Sequence, residues 1–250
     1  MRVVNAAPQL RIGSFTSALA LLTALGISLG GSGAAASDQH RSSTALLSIL
    51  NAVSDDASFA SVDVYADREL IAQDLQPGDL NEAQLKPGRY DITVVPAGSP
   101  RREGDLLSAD TMIRLTAGQN RTMALHLSPR GSVTSTVFTN RTRTVGRDMS
   151  QLTFRHIARA PDVDVRTRGS VLMDSVSNGQ QADEGLRSGT YRIRVVLEGS
   201  RNKVLPASNH RLYNAPGRQD MGENRIVYLW GSSPDDSLAL AVQEIELDLN

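Results

Sequence analysis

Arginine residues offer the clearest opportunity for chemistry in this sequence. Seven arginines lie between positions 141 and 168, where only three acidic residues occur, and two more follow on the outward face of a predicted strand. Clustered guanidinium groups raise the local positive potential and bind carboxylate or phosphate through paired hydrogen bonds. The sequence therefore predicts a candidate face for an anionic ligand. Its residues are Arg155, Arg159, Arg166, Arg168, Arg192 and Arg194.

An alternative interpretation needs no ligand. Glu244, Glu246 and Asp248 form an acidic stripe on the outward side of the predicted last strand. If that strand lies beside the arginines, cross-strand ion pairs neutralise them, and each exposed pair is worth roughly 0.2 to 1 kcal/mol.

Other reactive side chains do not form a recognisable site. The histidines at positions 40, 126, 156 and 210 lie in separate segments without metal-ligand spacing, and cysteine is absent. The motifs of serine hydrolases, phosphate-binding loops and calcium loops do not occur, so we expect neither an enzyme nor a cofactor. Asp63 and Asp164 could ligate a cation, but an acid between two core-facing valines on a strand more often faces solvent or accepts hydrogen bonds from a neighbouring turn.

These side chains belong to a duplicated stretch. The segment LKPGRYDITVVPAGS, at 85–99, returns as LRSGTYRIRVVLEGS, at 186–200, shifted by 101 residues. In the first copy Tyr90, Ile92 and Val94 alternate with polar residues, as in a strand with one buried face. The Leu-x-Pro-Gly-x-Tyr pattern resembles a tyrosine corner, in which a buried hydroxyl bonds to the backbone upstream. We therefore expect a structural role for Tyr90 and Tyr191.

The duplication predicts the domain organisation. Short β-strand patterns separated by turn dipeptides recur in both copies, without the long helices that a parallel α/β fold requires. The sequence predicts an all-β protein of two tandem β-sandwich domains, immunoglobulin- or transthyretin-like, over residues 37–148 and 149–250.

Residues 1–36 are predicted to be a cleaved signal peptide. Arg2 and Arg11 precede or flank an apolar stretch at 15–29, and Ala34 to Ala36 supply small residues before a cleavage site at Ser37. The apolar stretch is too short for a membrane span, and no later segment is long enough, so we expect a periplasmic or extracellular chain without a transmembrane segment. Removal of the leader changes the formal net charge from −1 to −3, which argues against nucleic acid as a partner.

The stretch LLSILNAVSDDASFASVDVYADRELIA, followed by LKPGRYDITVVPAGS, resembles the bacterial domain-of-unknown-function family 4397. The second copy, FRHIARAPDVDV through LRSGTYRIRVV, resembles it as well. The resemblance implies an exported β-sandwich, often in tandem, and implies no activity. A more distant likeness is to the AlgF family of alginate-acetylation accessory proteins, which also pair two exported β-domains.

The sequence thus predicts an exported, non-catalytic binding or structural module of the bacterial cell envelope, whose partner is an envelope polysaccharide or an envelope protein. Two alternatives stay open. One is an accessory subunit of an envelope polysaccharide-modifying complex, and the other is a hydrolase whose site the motifs do not reveal.

Overall fold

The computed structural model describes residues 43–54, 56–99, 111–143, 149–212 and 222–247. The predicted signal peptide lies outside these residues, as do His40 and Asp248. Within them the chain forms sixteen strands and a single 3₁₀ turn, Ala57–Phe59. No helix among the described residues is long and apolar enough to cross a bilayer.

Eight strands make up the first repeat. They are β1 (Ala45–Ala52), β2 (Val62–Ala66), β3 (Glu69–Leu75), β4 (Leu80–Leu85), β5 (Gly88–Pro96), β6 (Thr111–Leu115), β7 (Asn120–Leu127) and β8 (Val133–Thr139). The second repeat contains β9 (Met149–His156), β10 (Val163–Thr167), β11 (Ser170–Val176), β12 (Gln180–Arg187), β13 (Gly189–Leu197), β14 (Ser208–Leu212), β15 (Gly222–Trp230) and β16 (Ala239–Leu247).

Both repeats have the same topology. The first consists of sheets ordered β4-β1-β7-β8 and β3-β2-β5-β6, and the second of sheets ordered β12-β9-β15-β16 and β11-β10-β13-β14. Strands β1 and β7 pair in parallel, as do their counterparts β9 and β15, and the other pairs are antiparallel. The predicted all-β fold with two sandwich-like domains is confirmed.

Each sandwich has its own apolar core. In the first, Leu47 and Ile49 of β1 meet Val64 of β2 and Ile92 of β5. In the second, Leu152 and Phe154 take the places of the two β1 residues, facing Val165 and Ile193. Because strand side chains alternate between faces, the neighbours of these residues point away from the cores.

A third apolar cluster lies between the repeats. It joins the sheet that contains β1 to the sheet that contains β9, and its buried members are Leu50, Ala52, Ala124, Phe138, Ile157, Ile226, Tyr228, Ala241 and Ile245. The approach is close, because a Cβ atom built on Gly78 would lie 2.8 Å from Cζ2 of Trp230. The β1 and β9 sheets are therefore inner sheets, and the β2 and β10 sheets are outer sheets.

Candidate functional site

Four of the six predicted arginines meet on the outer sheet of the second repeat. Strands β10 and β13 are antiparallel neighbours in which Arg166 lies directly opposite Arg194. The last pair is Thr167 with Ile193, and Arg168 follows in the turn after β10, on the side of Arg192. We call Arg166, Arg168, Arg192 and Arg194 the arginine quartet.

The local sequence explains why the quartet faces outward. Val163 and Val165 on β10, with Ile193 and Val195 on β13, are buried in the core of the second sandwich. The residues between them must point to the other face of the sheet. Arg168 lies in the turn after β10 with a φ of 48°. Arg168, Arg192 and Arg194 are exposed, and Arg166 is half-buried.

Few acidic groups balance this charge. Nη1 of Arg166 lies 3.9 Å from Oδ2 of Asp164, and its Nη2 donates a hydrogen bond to the carbonyl of Gly169 at 3.1 Å. Among the described residues, Arg168, Arg192 and Arg194 form no ion pair. Asp174 interacts electrostatically with Arg166 and lies near Asp164 and Glu198, so the acidic groups gather around that arginine. The other three arginines carry the uncompensated positive charge of the quartet.

The proposed neutralising stripe lies elsewhere. Strand β16 belongs to the inner sheet and pairs with β15, where Arg225 lies opposite Glu244 and forms an ion pair with it. Glu246 lies opposite Glu223, and Asp248 is outside the described residues. The expectation that Glu244 and Glu246 pair with the arginines of β10 and β13 is therefore wrong, because these strands are in different sheets.

Arg155 does not belong to the anionic-ligand face, so that prediction is wrong for this residue. Its exposed fraction is 0%. Strand β9 directs it toward the first repeat, where its guanidinium carbon lies 4.3 Å from the ring centroid of Phe138. Burial lowers the pKa of Arg155, and the neighbouring Tyr228 opposes this effect. A side chain held in this way cannot reach a ligand in solvent.

A network of uncharged groups holds Arg155 in place. Its Nη1 donates to the hydroxyl of Tyr228 at 2.7 Å, its Nη2 to Oδ1 of Asn140 at 2.7 Å, and its Nε to Oε1 of Gln181 at 3.1 Å. The Tyr228 hydroxyl donates onward to Oε1 of Gln243 at 2.7 Å. Nε2 of Gln243 donates to the hydroxyl of Ser48 at 2.8 Å, so the network crosses from the second repeat to the first.

Nothing in the sequence pattern distinguished these network residues. Tyr228, Gln243 and Asn140 look like ordinary strand or strand-end residues until the two inner sheets are placed face to face. The available signal was a charged residue, Arg155, between Phe154 and His156 in a strand that is buried from position 150 to its end.

Arg159 is separate from both groups. It follows β9 and bridges to Ser232, and its Nη1 lies 3.9 Å from Oδ2 of Asp235. It borders an open cleft of about 470 Å³. The other lining residues are Pro129, Ala160, Pro161, Ser233 and Pro234. The structure therefore does not bring Arg159 to the outer sheet.

Asp63 and Asp164 fasten turns in the same way in both repeats. Oδ1 and Oδ2 of Asp63 accept hydrogen bonds from the backbone N–H groups of Asp74 and Gly98, both at 2.9 Å. Those of Asp164 accept from Ser175 and Gly199, at 3.2 and 3.1 Å. Both carboxylates are buried, and their oxygens already have donors. This geometry favours the turn-bonding role over a cation site, and the described residues contain no group of three or more metal-ligating side chains.

The three described histidines are buried, and His126 and His156 lie close enough to interact electrostatically. Burial lowers the pKa of His126, of His156 and of His210, the last to about 4. Nε2 of His126 lies 2.8 Å from Oγ1 of Thr136, and Nε2 of His156 lies 3.0 Å from the carbonyl of Pro161. Nε2 of His210 lies 2.7 Å from the hydroxyl of Ser208.

Tyr90 and Tyr191 bond to the backbone four residues upstream. The hydroxyl of Tyr90 donates to the carbonyl of Lys86 at 2.7 Å, and that of Tyr191 donates to the carbonyl of Arg187 at 2.9 Å. Both rings pack against the core of their sandwich but are half-buried, so the hydroxyls reach solvent. The expectation of a fully buried hydroxyl is therefore wrong, because the tyrosines lie at the edge of the core.

Taken together, the fold and this surface define a tandem β-sandwich protein with one basic outer face. Residues 45–166 match the model of the family described as "Domain of unknown function (DUF4397)", which confirms the predicted family resemblance over that stretch. The match covers the first repeat and the beginning of the second, as far as Arg166 in β10.

Two solved structures resemble the chain remotely. One is the Bacillus anthracis TIE protein, 13% identical with a TM-score of 0.22, covering 68% of this chain and 31% of that chain. The other is described as "Alpha-glucan binding by a streptococcal virulence factor", 7% identical with a TM-score of 0.24, covering 79% of this chain and 97% of that chain. At these TM-scores neither likeness bears on function. No curated protein matches the chain in sequence.

Proposed function

We propose that this chain is an exported, non-catalytic binding module of the bacterial cell envelope, and that it holds an anionic envelope polymer on the arginine quartet. The observation that carries the proposal is the quartet itself: four arginines on one sheet face, of which only Arg166 has an acidic partner among the described residues. Exposed guanidinium groups recognise carboxylate and phosphate groups, and an open sheet surface suits an extended chain better than a small substrate.

Export rests on the predicted leader. An intact mass that begins at Ser37 would establish cleavage and release into the periplasm or the medium. Retention of residues 15–29 in a membrane fraction would contradict it.

Binding is tested with the mature chain, residues 37–250, and the native cell envelope. Sedimentation with purified envelope polymer should be lost when the four quartet arginines are replaced by glutamine. The matched control replaces four other exposed arginines by glutamine, Arg89, Arg114, Arg130 and Arg201, and so makes the same change in net charge. The control should bind like the unchanged chain.

Two results would overturn the proposal. If both quadruple variants lose binding equally, net charge rather than the quartet is responsible. If crosslinking in the native envelope captures polymer-modifying enzymes and no polymer, the chain is an accessory subunit of such a complex.

A further inference from the structure

Arg166 and Arg194 lie directly opposite each other across β10 and β13. Arg192 lies two residues before Arg194 on β13, and Arg168 lies in the turn that follows β10. Like charges at directly opposed positions repel one another. In the free chain this repulsion is partly offset around Arg166, where Asp164 lies within ion-pair distance and Asp174 is close enough to interact with it. A ligand that places anionic groups between the arginines would relieve it.

Sheet geometry sets the spacing of those groups. Opposed residues on antiparallel strands have Cα atoms about 5 Å apart, and residues two apart on one strand are separated by about 7 Å. The Cα atoms of Arg166 and Arg194 are therefore about 5 Å apart and those of Arg192 and Arg194 about 7 Å apart, and Arg168 in the turn completes a roughly two-by-two array. Neighbouring charged units of a linear polymer can occupy two or more corners of such an array at once.

One anion alone would bind poorly on this surface. Arg168, Arg192 and Arg194 are exposed, so each contact remains in water. An exposed ion pair changes affinity by no more than about fivefold, whereas four on one ligand can multiply to several hundredfold, about 600-fold at most. The array thus selects for ligands that carry several charges on one chain.

An apolar residue extends the array on one side. Val171 of β11 lies opposite Arg166 on the flank away from Arg194, and 43% of it is exposed. A sugar ring presents carbon-bound hydrogens beside its charged substituent, whereas an inorganic polyphosphate presents oxygen alone. An exposed valine beside an arginine therefore favours a charged saccharide.

From this arrangement, and resting on the proposed function, we infer that the ligand of the arginine quartet is a linear acidic polysaccharide with carboxylates on neighbouring sugars, and that its binding requires at least two such sugars at once.

The test is a chain-length series with the mature chain. Galacturonate and its oligomers of two to eight units are titrated by calorimetry in low salt. Affinity should rise at least about 50-fold between the monomer and the tetramer, and it should fall steeply as sodium chloride is raised, because salt screens exposed charges. The quartet-to-glutamine variant should lose the length dependence, and Val171→Ser should weaken the tetramer several-fold with the quartet intact. The control with Arg89, Arg114, Arg130 and Arg201 replaced should keep the length dependence and the affinity for the tetramer.

Two outcomes would overturn the inference. Equal affinity for monomer and tetramer would show that the quartet does not require a polymer, and equal affinity for polyphosphate of the same charge would show that the sugar is not recognised. If no oligogalacturonate binds but the native envelope polymer still binds through the quartet, this inference fails and the proposed function stands. Loss of quartet-dependent binding to both would remove the proposed function itself.

Discussion

The outer faces of the two repeats share a backbone and differ in chemistry. At the places where the second repeat has Arg166, Arg168, Arg192 and Arg194, the first repeat has Tyr65, Asp67, Asp91 and Thr93. Strand pairing matches at these positions, because Tyr65 lies opposite Thr93 as Arg166 lies opposite Arg194. The buried Asp63 and Asp164 bond to equivalent turns in both. The residues that hold the sandwich together are thus repeated, while the residues at the quartet positions have changed. In the first repeat only Asp67 of these four is exposed, and Thr93 is fully buried.

The inner faces differ in a complementary way. Leu50 lies beside Ala124 in the first repeat, and the equivalent pair in the second is Arg155 beside Tyr228. The first repeat therefore has a small apolar pair at the position where the second has two large polar side chains. The two inner faces recognise each other and are not interchangeable.

The largest expected loss of stability comes from separating the two repeats, which exposes their inner faces. Residues 37–148 and 149–250 each contain a complete core, so we expect each half to melt cooperatively when expressed alone. Each also exposes its part of the cluster between the repeats, which includes Leu50, Phe138 and Tyr228. Exposure of several such side chains should make an isolated half about 5 kcal/mol less stable than the same half in the whole chain.

Differential scanning calorimetry of each half, and of an equimolar mixture, measures this effect. The mixture should form a one-to-one complex that melts higher than either half. If the halves are as stable as the whole chain and do not associate, the contact between the inner sheets is not a stabilising one. If neither half folds, the two cores are not independent.

Replacement of Arg155 by alanine should cost about 3 to 5 kcal/mol of the free energy of unfolding. The change leaves acceptors on Asn140 and Gln181 without their donor and opens a cavity against Phe138. Urea denaturation measures the loss. Arg159→Ala is the control, because its side chain is about one-third exposed and its ion pair should contribute less than about 1 kcal/mol. A similar cost for both variants would contradict the assigned role of Arg155.

These residues also show how much of the structure the sequence predicts. Period-two alternation is a local property, so it directs Arg166, Arg192 and Arg194 outward from their strands. The turn pattern before Tyr90 and Tyr191 is local as well, and it identified both tyrosines that bond to the backbone. The same alternation directed Arg155 out of its own core, but what covers that face belongs to the other repeat. Likewise, the outward direction of Glu244 did not reveal that β16 pairs with β15 rather than with β13. Contacts between sheets depend on how the repeats dock, and no local pattern encodes this.

We also expect acid to destabilise the second repeat through one buried histidine, His210. His210 lies opposite Tyr191 where the first repeat has Ile113 opposite Tyr90. Burial lowers the pKa of His210 to about 4, so the unfolded chain, with an ordinary histidine pKa near 6.5, binds the proton more strongly. The contribution of His210 to the free energy of unfolding is therefore fully present above about pH 6.5. It falls as the pH drops toward 4, by about 2 kcal/mol at pH 5.

His210→Ile, which installs the residue of the first repeat, should remove that portion of the acid sensitivity. Urea denaturation at pH 7.5 and at pH 5 measures the difference, and the measurement at pH 7.5 serves as the control for any change in packing. An unchanged loss between the two pH values would show that other groups, such as His126 or His156, account for the effect.

The smallest expected loss of stability comes from removing one tyrosine hydroxyl, and it should be the same in both repeats. Tyr90→Phe and Tyr191→Phe each remove one hydroxyl that donates to a backbone carbonyl at 2.7 or 2.9 Å. Because both hydroxyls reach solvent, water can replace the lost donor, so the cost should be about 0.5 to 1 kcal/mol rather than that of a buried unpaired carbonyl. Tyr65→Phe is the control, since the described residues provide no hydrogen bond to its hydroxyl. Binding to envelope polymer should be unchanged in all three variants, because neither Tyr90 nor Tyr191 belongs to the arginine quartet. Weaker binding by Tyr191→Phe with unchanged thermal stability would instead make this tyrosine part of the ligand surface, and the two repeats would then differ at a position where their structures agree.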